Sequence, residues 1–141
     1  MSGADLLPLD LDALAQSDTA QLVIRHPVTG AASGTVFTIA GPEHAVRKAL
    51  VFARMRAARK EFEKTGAITV TDPLDDEDAE SDLMARCTLG WSGLTAGGVP
   101  VAHSLEAARK LYSEPRSRWV RDQVKAGLDK LELFIGGSAP V

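Results

Sequence analysis

A chain of 141 residues suits one domain, and 45% apolar with 25% charged residues is a globular rather than a disordered composition. A net charge of −3 and a pI near 5.6 call for neither nucleic acid nor an anionic membrane. The single cysteine, Cys87, excludes an intramolecular disulfide and a multi-cysteine metal site, and no apolar run approaches the ~18 residues of a membrane span.

Residues 1–20 begin MSGADLLPLDLDAL. They carry acids and no basic region ahead of the leucines, unlike a secretory signal, and Pro8 breaks any early helix. The segment reads either as a solvated acidic arm or as a short docking segment using Leu6, Leu7, Leu9, Leu11 and Leu14. Residues 21–40, QLVIRHPVTGAASGTVFTIA, predict a β-hairpin. Two β-branched runs flank turn residues, with Thr29-Gly30 and Ser33-Gly34 available for positive φ, and Pro27 ends the first strand near His26.

A helix is predicted over 42–64, with Pro42 in its first turn and Glu43 at its positive end. Val46, Leu50, Ala53 and Ala57 form one apolar stripe, expected to face the core. Val51, Met55 and Phe62 lie nearly opposite, with Phe52 between, and must face another part of the chain or another molecule. Thr65-Gly66 stops this helix, and 67–73 reads as a short strand or extended linker.

An acid-rich helix is expected over 74–89, ending at Gly90, followed by a Gly-rich connector. Ser104 is a natural N-cap for a helix at 105–113. Pro115 opens a last helix over 115–135 with the stripe Val120, Val124, Leu128, Leu131 and Ile135, where Gly127 permits close approach. Residues 136–141 read as a flexible tail. The sum is an α+β domain over 21–135, mainly helical, with an N-terminal hairpin, about four helices and a Gly-rich connector.

Motifs for chemistry are missing where they would be expected. In GWSGLTAGGVPVAHS, Gly93 and Gly98 have the glycine separation of a Walker loop, but Val99-Pro100 stands where Lys and Ser or Thr belong. The stretch reads as a connector turned by Ala96-Gly97-Gly98, with Trp91 plugging its base. His26, His44 and His103 lack metal-site spacing, and Cys87 reads as a small buried hydrophobe. The acids from Asp72 to Asp82 lack the glycine of a calcium loop. They read as a solvated helix start, or as partners of the basic helix carrying Arg47, Lys48, Arg54, Arg56, Arg59, Lys60 and Lys64. Those seven bases alone do not make a nucleic-acid site, because neighbouring acids cancel the field and aromatics are few. No catalytic, cofactor or metal residues are expected.

Three stretches resemble the small tail assembly chaperones of long-tailed bacteriophages and prophages. They are LVIRHPVTGAASGTVFTIAGPE, GWSGLTAGGVPVAHSLEAARKLYSEP, and the closing helix with Trp119, Asp122, Gln123, Val124 and Phe134. The resemblance implies a non-enzymatic protein of the host-cell cytoplasm. Such a protein binds the long helical tape measure protein and keeps it soluble until tail tube subunits polymerise around it. Contact with the tail tube protein and self-association fit the same role. A virion structural protein of the tail or head–tail connector, or a nucleic-acid-binding regulator, are the alternatives. A holding surface needs apolar strips rimmed by charge. The candidate contact residues are Val51, Phe52, Met55 and Phe62, with Leu111, Trp119 and Val120 as a second strip; the alternative for each is a place in the core.

Overall fold

The computed structural model describes residues 6–67 and 73–136, the first three of the second segment by backbone alone. The fold is α+β. Strands β1 (Thr19–Arg25) and β2 (Ala32–Ala40) form the expected antiparallel hairpin, with Leu22 opposite Phe37 and Val23 opposite Val36. Strand alternation puts Ala20, Leu22 and Ile24 into the core together with Phe37 and Ile39. The loop closes at Gly30, whose φ is 72°. His26 holds it, because its Nδ1 accepts from the backbone N–H groups of Val28 and Thr29 at 3.2 Å each.

Helix α1 (Ala45–Thr65) begins later than the sequence suggests. Pro42 and Glu43 lie in a turn, and His44 is the N-cap, accepting from Val46 N at 3.2 Å. The delay has a packing cause. Gly41 is pressed against its neighbours, and a Cβ there would lie 2.8 Å from the Phe134 ring. The helix stops at Gly66 as expected, with φ 69° and its N–H on Phe62 O. The stripe of Val46, Leu50, Ala53 and Ala57 does not face the core. No residue of α1 is buried, only Leu50 packs against the core, and every position from 51 to 67 is exposed.

Helix α2 (Pro73–Cys87) ends before Gly90, and Thr88–Ser92 is a strand, β3, antiparallel to β2. Two interactions win over the helix here. Thr88 Oγ1 donates back to Met84 O at 2.9 Å and shares a 2.7 Å hydrogen bond with the Tyr112 hydroxyl. The open edge of β2 then takes the following residues, placing Trp91 opposite Phe37. Strands β4 (Thr95–Ala96) and β5 (Val99–Pro100) form a small hairpin turned by Gly97 and Gly98, both with positive φ. Helix α3 (Leu105–Ser113) is capped by Ser104 as expected, its Oγ accepting from Ala107 N at 3.0 Å.

The expected helix at 115–135 is three pieces: a 3₁₀ turn at Pro115–Ser117, α4 (Arg118–Leu128), and a second 3₁₀ turn at Leu131–Phe134. Lys130 is extended, and the chain leaves the helix to pair with the root of the N-terminal arm. Ser17 N donates to Phe134 O at 2.5 Å, and Gly136 N to Ala15 O at 2.7 Å. Phe134 enters the core while Leu131 stays exposed and Ile135 half-buried. The arm meets the domain here, and β1 begins at Thr19, inside the stretch expected to be an arm. The strand or linker expected at 67–73 and the tail at 136–141 fall almost wholly outside the described residues.

Gly127 has the close approach its place in the stripe implied: a Cβ there would meet Leu22 Cδ2 at 2.9 Å. Gly127→Val therefore pries α4 off β1. Its overpacking is expected to lower stability by about 1–3 kcal/mol, seen as a lower urea midpoint at unchanged slope.

Candidate functional site: two apolar surfaces

Among the described residues no cluster of His, Cys, Asp and Glu could hold a metal, and no helix is long and apolar enough to cross a membrane. The three histidines have separate structural places. His26 holds a turn, His44 caps α1, and His103 Nε2 lies 3.0 Å from Thr88 O with its ring edge-on to Trp91. Cys87 is buried, and burial pushes its thiol above the ordinary value, away from the reactive thiolate.

The glycines of the connector build structure. Trp91 does plug the base of the loop: its indole N–H donates to Val101 O at 2.8 Å, and its ring lies 5.2 Å from Phe37. Gly93 has φ 72° and sits against the backbone of Gly34, with Thr35 Oγ1 donating to Gly93 O at 2.8 Å.

Two apolar surfaces on the helices hold the candidate contact residues. The first is the outer part of α1, where Val51, Phe52, Met55 and Phe62 are 40%, 46%, 62% and 54% exposed. Arg56 and Arg59 flank Phe52 and Met55 around a shallow depression. The second is a groove of about 350 Å³ between α3, α4 and the β4–β5 hairpin, lined by Trp91, Leu94, Val101, Leu111, Trp119 and Val120 among others. The structure thus brings Leu111, Trp119 and Val120 together. Val120, however, is 3% exposed and belongs to the core, so it only floors the groove, and Leu111 is half-buried. Trp119 is the residue of that strip free to meet a partner. The sequence reading missed Leu94 and Val101 as groove residues, because only the fold of the connector sets them beside α3.

Of the acid run, read as a solvated helix start or as partners of the basic helix, Glu77, Glu80 and Asp82 pair with α3, α4 and their own helix. Arg118 and Arg121 of α4 both donate to Glu77, at 2.5 and 3.3 Å. Arg121 and Lys125 reach Glu80 at 3.3 and 2.6 Å. Asp82 takes Arg86 at 2.9 Å and Arg109 at 2.7 Å. Arg121 is buried, and its remaining hydrogen bond goes to Tyr112 O. The missed signal was spacing: Glu77 and Glu80 at i, i+3 match Arg118, Arg121 and Lys125 at i, i+3 and i+7.

These pairs hold both carboxyls below their ordinary values, Glu80 chiefly through the Lys125 hydrogen bond and Asp82 chiefly through that from Arg86. A depressed carboxyl stabilises the fold above its unfolded value and loses that contribution as pH falls through the folded value. Stability is therefore expected to decline on acidification below pH 4.5, the ordinary Glu80 value. In urea titrations at stepped pH, Glu80→Gln should flatten that decline.

No family model, curated protein or solved structure matches this chain.

Proposed function

We propose that the protein is a phage tail assembly chaperone that binds the tape measure protein and keeps it soluble until the tail tube polymerises around it. The observation that carries this reading is α1: a helix exposed along its outer length that still carries Val51, Phe52, Met55 and Phe62 among Arg54, Arg56, Arg59, Lys60 and Lys64. Isolated exposed hydrophobes are ordinary, but four on one projecting helix make a strip. At ~1.5 Å per residue it runs on the order of 16 Å, about three turns of a client helix.

The energetics suit holding rather than permanent capture. The strip's remaining exposed area is worth only a few kcal/mol at about 25 cal/mol/Å², and association itself consumes at least about 4 kcal/mol. One copy therefore binds weakly, and many copies along one long helix bind by avidity and come off singly as the tube advances. The sequence resemblance supplies the client's identity, and the host-cell cytoplasm follows from the same reading.

Co-expression tests it. The tape measure protein should move from the insoluble to the soluble fraction when this chain is present, and unchanged partitioning sinks the proposal. Mass spectrometry of purified particles should lack the chain; its stoichiometric presence favours a structural part of the tail.

A further inference from the structure

We propose that the apolar strip of α1 is covered, in the free protein, by the N-terminal arm of a second copy of this chain. The arm offers the complement of the strip. Leu6, Leu7, Leu9, Leu11 and Leu14 are all exposed, three of them by more than four-fifths. Residues 6–18 carry Asp10, Asp12 and Asp18 and no base. Against them, residues 51–65 of α1 set five bases, Arg54, Arg56, Arg59, Lys60 and Lys64, over two acids, Glu61 and Glu63. Leucines meet Phe52 and Met55 while aspartates meet arginines, so burial and charge favour the same pairing.

The lengths agree. The arm is fixed at its root by the bonds of Ala15 and Ser17 to Gly136 and Phe134. Residues 11–14 form a turn in the single chain, with Leu14 N donating to Asp10 O at 3.1 Å. With that turn opened, residues 6–14 reach roughly 30 Å, enough to run along the exposed part of α1, which is roughly 22 Å long. Among the described residues of one chain, the arm leucines and the α1 strip are both exposed. Packing α1 of one copy on α1 of another would set like charges together, which the arm avoids. Reciprocal exchange between two copies covers both strips about a twofold axis and leaves none over.

This proposal concerns the protein alone and does not rest on the client. Sedimentation of the full chain over a range of concentration should show a dimer that weakens with salt. Leu9→Asp/Leu11→Asp and Phe52→Asp/Met55→Asp should each weaken dimerisation about tenfold or more. These sites are exposed, so the variants keep the fold. Mixing the two variants restores one intact arm–helix contact and should give more dimer than either alone. A Leu9→Cys chain mixed with a Met55→Cys chain should form a disulfide between copies on mild oxidation. A monomeric wild type, a dimer indifferent to both variants, or a Leu9→Cys/Met55→Cys chain that closes within one monomer would each overturn the exchange. A monomer that still solubilises the tape measure protein overturns the exchange and leaves the chaperone reading standing.

Discussion

Phe134→Ala should remove about 3–5 kcal/mol of folding stability, a large part of the roughly 5–15 kcal/mol typical of a domain. Phe134 is fully buried, although it sits in a 3₁₀ turn near the end of the described chain. Its ring lies against Gly41, at the entry to α1, and its carbonyl accepts from Ser17 at the root of the arm. The ring thus sits where the entry to α1 and the root of the arm meet, and both are held by backbone hydrogen bonds, Gly41 N to Asp18 O and Ser17 N to Phe134 O, that inward movement would break. The cavity stays open, which places the substitution near the upper end of the range. Leu131→Ala is the control. Leu131 is 53% exposed and should change stability by no more than about 0.5 kcal/mol. Urea unfolding of the two variants checks the order. A continuous helix over 115–135 would put Leu131 on the buried stripe, so a Leu131 effect matching that of Phe134 would contradict the break after Leu128.

What the sequence made legible follows from the range of the interaction. The hairpin, the Ser104 cap, the Gly66 stop and the Gly97-Gly98 turn are each decided within a few residues, and each stands where local chemistry places it. The departures are decided from far away. Thr88–Ser92 becomes strand because β2 has an open edge, and the chain after Leu128 leaves the helix because Ser17 and Ala15 take its backbone. The partners of Glu77 and Glu80 lie some forty residues on, in α4, where the sequence offered the more basic α1 as a choice. For the candidate surface the limit is of another kind. Periodicity located two apolar stripes on α1, but it carries no record of how far the helix runs past the domain that would bury one of them.

That projection gives the function-directed substitution its expected size. Phe52→Asp/Met55→Asp should leave the urea midpoint close to wild type, because neither side chain packs against the core. The loss of helix propensity from two aspartates is a few tenths of a kcal/mol each and is offset by Arg56 and Arg59 beside them. Client binding should suffer far more. Two anchors at about 1–2 kcal/mol each lower the affinity of one copy by roughly 30- to 700-fold, and loss of avidity along the client multiplies that effect. In co-expression the tape measure protein should return to the insoluble fraction. The comparison that locates the contact is Trp119→Asp, which puts a charge at the mouth of the second groove. If Trp119→Asp abolishes holding while Phe52→Asp/Met55→Asp leaves it intact, the client sits between α3 and α4 and the strip on α1 serves the second copy alone. If both are needed, one client helix is gripped at two places. Leu9→Asp/Leu11→Asp separates the roles further: it frees the α1 strip of its cover, so holding should persist or improve if arm and client compete for the same residues.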